Sequence, residues 1–248
     1  MMVPGLGMAV LGAAGALAWA VRGRSSTVLA HSVWRGPASR RAIALTFDDG
    51  PSESTPALLE MLERYRAKAT FFQCGYHVRR LPGITRALVA GGHEPGNHTD
   101  RHPALYLRSP AFIFNEIAMA QEAITEAAGA APRWFRAPFG ARWFGLEAAQ
   151  RALGLTGVMW TAIGRDWSLP AGRIAARLRR ATRPGAILCL HDGRELAQNP
   201  DISSTLAAVA ELLPWWREEG YEVLTVSELL APTAPDGTSV PSNGRVRR

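Results

Sequence analysis

Two carboxylates stand side by side, Asp48 and Asp49, where the apolar run of "LTFDDGPS" (45–52) ends. Taken alone, Asp-Gly-Pro is ordinary turn chemistry, since Asp and Gly favour turns and Pro fixes φ. Further chemistry-bearing residues recur in separate short clusters: His98 and His102 in "GHEPGNHTDRH", Arg136 in "RAPFG", Asp166 in "GRDW" and His191 in "HDG". The i, i+4 spacing of His98 and His102 predicts two imidazoles on one side of a helical turn. With one carboxylate of the Asp pair they make a two-His-one-Asp set. Such a set holds a divalent metal and leaves positions open for water and substrate. The neighbouring aspartate is then free to take a proton from a water that the metal has acidified to a pKa of about 7. His191 could protonate a leaving group, Asp166 could orient that imidazole and hold its charge, and Arg136 could orient the basic aspartate. Non-haem iron oxygenases use the same ligand types. A metal beside a base and an acid suits hydrolysis instead, because a metal-bound dioxygen needs neither.

Those clusters need a scaffold that gathers them. Apolar runs predict strands at 43–47, 69–73, 157–161, 186–190 and 222–226, with weaker ones near 92–96 and 133–137. Between them lie helical patterns with legible ends. "STPALLEMLERY" offers Ser54 or Thr55 as N-cap, Pro56 in the first turn, and Leu58, Leu62 and Tyr65 on one face. "SPAFIFNEIAMAQEAITEAAG" offers Ser109 as cap, a stripe of Ile113, Ile117, Ala120 and Ile124, and Gly129 as the stop. Strand–helix alternation over about seven units implies parallel strands joined by helical crossovers, as a barrel or a doubly wound sheet. The polar clusters fall at predicted strand ends, and parallel α/β folds bind ligands at the carboxyl ends of their strands. Five such clusters read as one site.

The 248 residues carry a formal charge of +7, but the excess sits at the ends. Residues 1–41 hold five arginines and no acid, whereas 42–230 hold 20 basic and 20 acidic residues. A neutral central region argues against a basic nucleic-acid-binding domain, and nothing points to a protein partner. Residues 1–24 open with 21 uncharged residues and read as an N-terminal membrane anchor or signal segment. Residues 25–41 read as a basic linker, 42–230 as one catalytic domain, and 231–248, rich in Pro, Ser, Thr and Gly, as a disordered tail. Arginines after the apolar stretch favour a cytoplasmic flank by the positive-inside rule. Deleting residues 1–24 is expected to leave a soluble, active enzyme. Cys74 and Cys189 lie in apolar runs and read as buried thiols, although a disulfide between them is compatible with the sequence.

The motifs "TFDDGPS", "HTDRH", "RAPFG", "RDW" and "LCLHDG", in this order across about residues 40–230, resemble the polysaccharide deacetylases of the NodB-homology group, carbohydrate esterase family four. The resemblance implies a distorted (β/α) barrel, usually of seven parallel strands. It implies metal-dependent removal of N- or O-acetyl groups from sugars, most often polymers containing N-acetylglucosamine. Asp48 would be the general base, Asp49, His98 and His102 the metal ligands, and His191 the general acid. Arg136 would orient Asp48, and Asp166 would tune His191. Zinc would be the common metal, with cobalt, manganese or nickel as substitutes. A backbone N–H near Phe139 would help stabilise the oxyanion, and Trp167 and Leu190 would form the pocket for the acetyl methyl. Phe139 replaces a common Tyr, and Ile163 stands where an Asp often precedes "RDW". Relatives that deformylate lipid-linked amino sugars or open other non-peptide amides set the alternative substrate class. A catalytically inactive glycan-binding protein is the alternative from another class. The resemblance favours a catalytic domain outside the cytoplasm.

Overall fold

Among the described residues one curled sheet of nine parallel strands forms, most of them from short apolar runs. They are β1 (Ser32–Val33), β2 (Ala42–Gly50), β3 (Thr70–Gln73), β4 (Glu94–Asn97), β5 (Trp134–Phe135), β6 (Thr156–Val158), β7 (Ala162–Ile163), β8 (Ala186–His191) and β9 (Glu222–Leu224). The computed structural model describes residues 4–232, with side chains from residue 12 onward. Residues 1–3 of the expected anchor and 233–248 of the expected tail lie outside the described residues.

The spatial order is β1-β6-β5-β4-β3-β2-β8-β7, with β9 beside the start of β2. All seven expected strands are present. The two additional ones, β1 and β7, are two residues long and carry no apolar run for a sequence pattern to register. Among the described residues no ladder joins the edge strands β1 and β7, and a single antiparallel bridge, Arg35 with Ala186, links the segment after β1 to β8. Loop bonds add to it: Thr161 donates its N–H to the Ile187 carbonyl at 2.7 Å and its hydroxyl to the Trp34 carbonyl at 3.1 Å.

Period-two alternation decides what faces what. On β2, Ile43, Leu45 and Phe47 point outward into a core with Leu58, Ile174, Leu212 and Trp216 of the surrounding helices. Ala42 and Ala44 point inward beside Phe72 and Ile187. Burying each large apolar side chain contributes roughly 1.5–3 kcal/mol, so the outer core holds the strand rigidly against its helices. The inward row then runs Ala42, Ala44, Thr46, Asp48 and delivers a carboxylate to the mouth.

The helix Pro110–Ala128 forms as its sequence predicts. Ser109 accepts the Phe112 N–H at 3.2 Å, the expected stripe is buried, and Gly129 ends the helix at φ 77°. Ser54 occupies the cap position of the helix Thr55–Arg64 without a side-chain bond.

Two expectations about the N-terminal region change. Residues 25–41 are not a linker: Ser26, Leu29, Ala30 and Ser32 are buried, and β1 pairs with β6. Residues Pro4–Arg22 form a 19-residue helix, and Gly and Ala make up ten of those residues, which dilutes its apolar surface. Among the described residues no helix is long and apolar enough to cross a membrane.

Candidate active site and metal centre

Consecutive strand residues point to opposite faces, so two adjacent aspartates should not share a site. The chain resolves this with a bulge. Asp49 takes a left-handed φ of 74°, and the β2–β3 register shifts between Asp48 and Gly50. The extra residue re-aims the second carboxylate toward the mouth already faced by the first.

His98 and His102 reach the same mouth, but not from a helix. They lie in the loop after β4, where Thr99 (φ 67°) and His102 (φ 54°) are left-handed. Side chains hold these costly conformations. Asn97 Oδ1 accepts the Thr99 N–H at 2.9 Å, and the Thr99 hydroxyl accepts the His102 N–H at 3.1 Å. Asn97 is itself anchored to the Ile117 carbonyl and Gln121 of the long helix, both at 2.9 Å.

Asp49 Oδ1 lies 3.4 Å from His98 Nε2 and 3.2 Å from His102 Nε2. His98 Nδ1 is 2.7 Å from the Arg136 carbonyl, which only an N–H can satisfy, so its Nε2 carries the lone pair. Burial, aided by neighbouring His98, lowers the His102 imidazole to about 4 and keeps it neutral at pH 7. Burial opposes ionisation of Asp49, but the imidazoles of His98, His191 and His102 around it outweigh that and hold the carboxyl well below the usual range. Asp49 Oδ1 is buried and has no hydrogen-bond partner. Lone pairs facing one another in a dry site are costly unless a cation joins them, so these residues fit a divalent ion.

A second triple, Asp48, Cys189 and His191, also converges. It suits a metal poorly. The buried Arg136 guanidinium donates to Asp48 Oδ1 at 2.6 Å, and burial pushes the Cys189 thiol well above its ordinary value, so it stays protonated.

Arg136 is fully buried and spends its donors on Asp48, the Thr46 hydroxyl at 2.8 Å and the Val158 carbonyl at 3.2 Å. His191 ends β8, and its Nδ1 is 2.8 Å from Asp166 Oδ1 while its backbone N–H donates to Asp166 Oδ2 at 2.9 Å. Burial would strip the proton from His191, but the Asp166 hydrogen bond and charge prevail and raise it to about 9. Asp166 is correspondingly lowered: burial opposes the shift, and the His191 and Thr205 bonds outweigh it.

These groups open on a cleft of about 670 Å³ lined by Asp48, Asp49, His98, His102, Phe139, Trp167 and His191, among others. Phe139 sits at φ 56° in the short turn Pro138–Gly140, its ring 4.7 Å from that of His102. Arg136 and Asp166 stand behind the residues they bond. Leu190 does not line the cleft. Alternation on β8 sends Cys189 and His191 inward and Leu190 outward into the helix-facing core. Trp160 and Ile163 supply apolar lining in its place.

Several site residues escape the sequence reading. Cys189 donates to Asp48 Oδ2 at 3.4 Å, a contact that counting back two residues from His191 could have found. Glu195, whose N–H donates to Asp49 Oδ2 at 3.0 Å, and Arg22 also line the cleft. Both cysteines are free and buried.

A parallel curled sheet with an Asp–His–His centre between a carboxylate and a carboxylate-backed histidine defines a metal-dependent hydrolase. Comparison with known proteins makes this specific. The profile of the family "Polysaccharide deacetylase" matches residues 35–158. The chain is 38% identical over 198 residues to a chitooligosaccharide deacetylase of Bradyrhizobium sp. (strain ANU 289), covering 76% of this chain and 90% of that one. Among solved structures it resembles the Bc1960 peptidoglycan N-acetylglucosamine deacetylase, with TM-score 0.75 and 28% identity over 80% of this chain and 92% of that one. It also resembles a CE4 family pseudoenzyme from Bacillus anthracis, with TM-score 0.73 and 27% identity over 81% of this chain and 69% of that one. The chain belongs to the polysaccharide deacetylase family and is a hydrolase of non-peptide carbon–nitrogen bonds.

Proposed function

We propose that the protein removes N-acetyl groups from a glycan containing N-acetylglucosamine, with Asp49, His98 and His102 holding zinc. The observation that carries this reading is the unpartnered Asp49 Oδ1 facing two imidazole nitrogens, with Asp48 and His191 on the same cleft. Bound there, a divalent ion supplies Lewis acidity, acidifying water and polarising the acetyl carbonyl. Asp48 Oδ2 takes the proton of the attacking water, while Arg136 fixes the carboxylate through Oδ1. The Phe139 backbone N–H stabilises the oxyanion as the acetyl carbon becomes tetrahedral. His191, its Nδ1 held by Asp166, gives the Nε2 proton to the departing amine. Trp167 and Ile163 bound the space for the methyl group.

The test is acetate release from chitooligosaccharides and peptidoglycan fragments, alongside metal analysis. His98→Ala should lose both metal and turnover. Asp48→Asn should keep the metal and lose about 10²–10⁴-fold in rate, the usual worth of a general base. Equal metal content in wild type and His98→Ala sinks the ligand assignment, and no release from any acetylated glycan sinks the function.

A further inference from the structure

The segment before the family match forms part of the cleft. Arg22, on the last turn of the N-terminal helix, lines it together with the metal-site residues, and its Nη2 donates to the Phe139 carbonyl at 3.3 Å. Its position is fixed from behind. Buried Arg142, two residues past Gly140, takes the Ser26 carbonyl at 2.7 Å and the Ser32 hydroxyl at 2.8 Å, and also bonds the Gly23 carbonyl. The Arg142 N–H donates to the Val21 carbonyl at 3.0 Å. Arg24 bonds the Thr161 carbonyl on the far side of the same wall. A helix end clamped this way holds its guanidinium at the rim instead of releasing it to solvent.

That charge lacks an acidic partner among the described residues. The other arginine of the cleft, Arg194, is engaged by Asp166, with Nη2 donating to its carbonyl at 3.1 Å. Glu195, the acid beyond the catalytic pair, comes from the loop after β8, whereas Arg22 touches the loop after β5. A fixed, unpaired guanidinium at the mouth of a substrate cleft is a fork for carboxylate or phosphate oxygens. We propose that Arg22 reads an oxyanionic substituent on the glycan beside the acetamido sugar, so that the substrate is an acidic acetylated glycan. This rests on the deacetylase reading.

The test uses the zinc-loaded full chain and three tetrasaccharides: neutral N-acetylchitotetraose, an analogue with a lactyl carboxylate on the neighbouring sugar, and one with a terminal phosphate. Arg22→Gln should lower the anionic-to-neutral ratio of kcat/KM about tenfold, which is about 1.4 kcal/mol, and do so through KM. Arg22→Lys should keep more of the ratio than Arg22→Gln. Salt at about 0.5 M should erode the ratio in the wild type and not in Arg22→Gln. The analogue that responds identifies carboxylate or phosphate as the source of the charge. An unchanged ratio in Arg22→Gln overturns the proposal. No acetate from any of the three with wild type overturns the deacetylase reading, and this one with it.

Discussion

Replacing Asp166 by Asn should change the pH dependence of the rate more than its maximum. In the wild type, Asp166 raises His191 from 6.5 to about 9 against the opposing effect of burial. That difference of about 2.5 pH units is worth about 3 kcal/mol between the two protonation states. Asn keeps the shape but removes the charge, so burial is left to act and the imidazole falls to about 6.5 or below. A dication in the centre repels the imidazolium in both proteins, so the difference between them is what the experiment reads. At pH 8 the wild-type acid is then about 90% protonated and the variant about 3%, a deficit of about thirtyfold. At pH 6 the deficit shrinks below about twofold. Structural damage would instead lower the rate by a constant factor. The assay is continuous acetate release from pH 5.5 to 9.5, with metal content measured on the same samples. A deficit that does not vary with pH, or a basic limb that stays in place, refutes His191 as the acid tuned by Asp166. Stability should follow the same pair. His191, raised on folding, contributes fully below about 6.5, and that contribution is lost as pH rises through about 9. Asp166, lowered on folding, contributes above 3.8 and loses its contribution as pH falls. The gap in Tm between wild type and Asp166→Asn should therefore be widest from about pH 4 to 6.5.

Two further outcomes follow from the packing around the site. Deleting residues 1–18, which leaves the Val21 and Gly23 carbonyls in place for Arg142, should preserve turnover. Deleting 1–24 removes Arg24 and two partners of Arg142, the Gly23 and Val21 carbonyls, and should cost at least about 2 kcal/mol of stability, the scale of one bond to a charged group, along with most activity. Equal activity of the two truncations would show that the clamp is dispensable. In Gly193→Ala the new Cβ would overlap the Asp49 carbonyl, which is backbone and cannot swing aside. We expect a loss of about 1–3 kcal/mol and reduced metal occupancy, and an unchanged Tm with full metal occupancy would refute it.

The site is legible in the sequence wherever one strand end announces its own polar cluster. β2, β3 and β8 are long enough for their apolar runs to register, and Asp48, Asp49 and His191 follow directly from them. Where geometry depends on a left-handed residue, the pattern misleads. The spacing of His98 and His102 matches a helical turn, yet Thr99 and His102 at positive φ bring the rings together in a loop. Leu190 shows a different failure. Its neighbour His191 faces the cleft, and strict alternation then sends Leu190 to the outer core. Arg22 could not be found at all, because contact with Phe139, 117 residues away, leaves no local trace. The same holds for β1, whose two residues are a strand only because β6 lies beside them.

Likeness to both a deacetylase and a pseudoenzyme at TM-scores of 0.75 and 0.73 means that the fold does not separate turnover from its loss. The buried charges of this chain bear on it instead. Arg136 and Asp48 are almost wholly removed from water, as is Asp166 behind His191. Taking such pairs out of water costs several kcal/mol per ion, and well-packed apolar residues of similar volume often serve stability as well or better. A protein that only bound glycans would need the aromatic rim and the cleft, not a guanidinium buried beneath a carboxylate or a carboxylate holding up the pKa of a histidine. In this chain each group that would move a proton, and His98 of the three that would hold the ion, keeps a buried partner that fixes its orientation: Arg136 for Asp48, Asp166 for His191, and the Arg136 carbonyl for His98. That pattern suits proton transfer between those atoms.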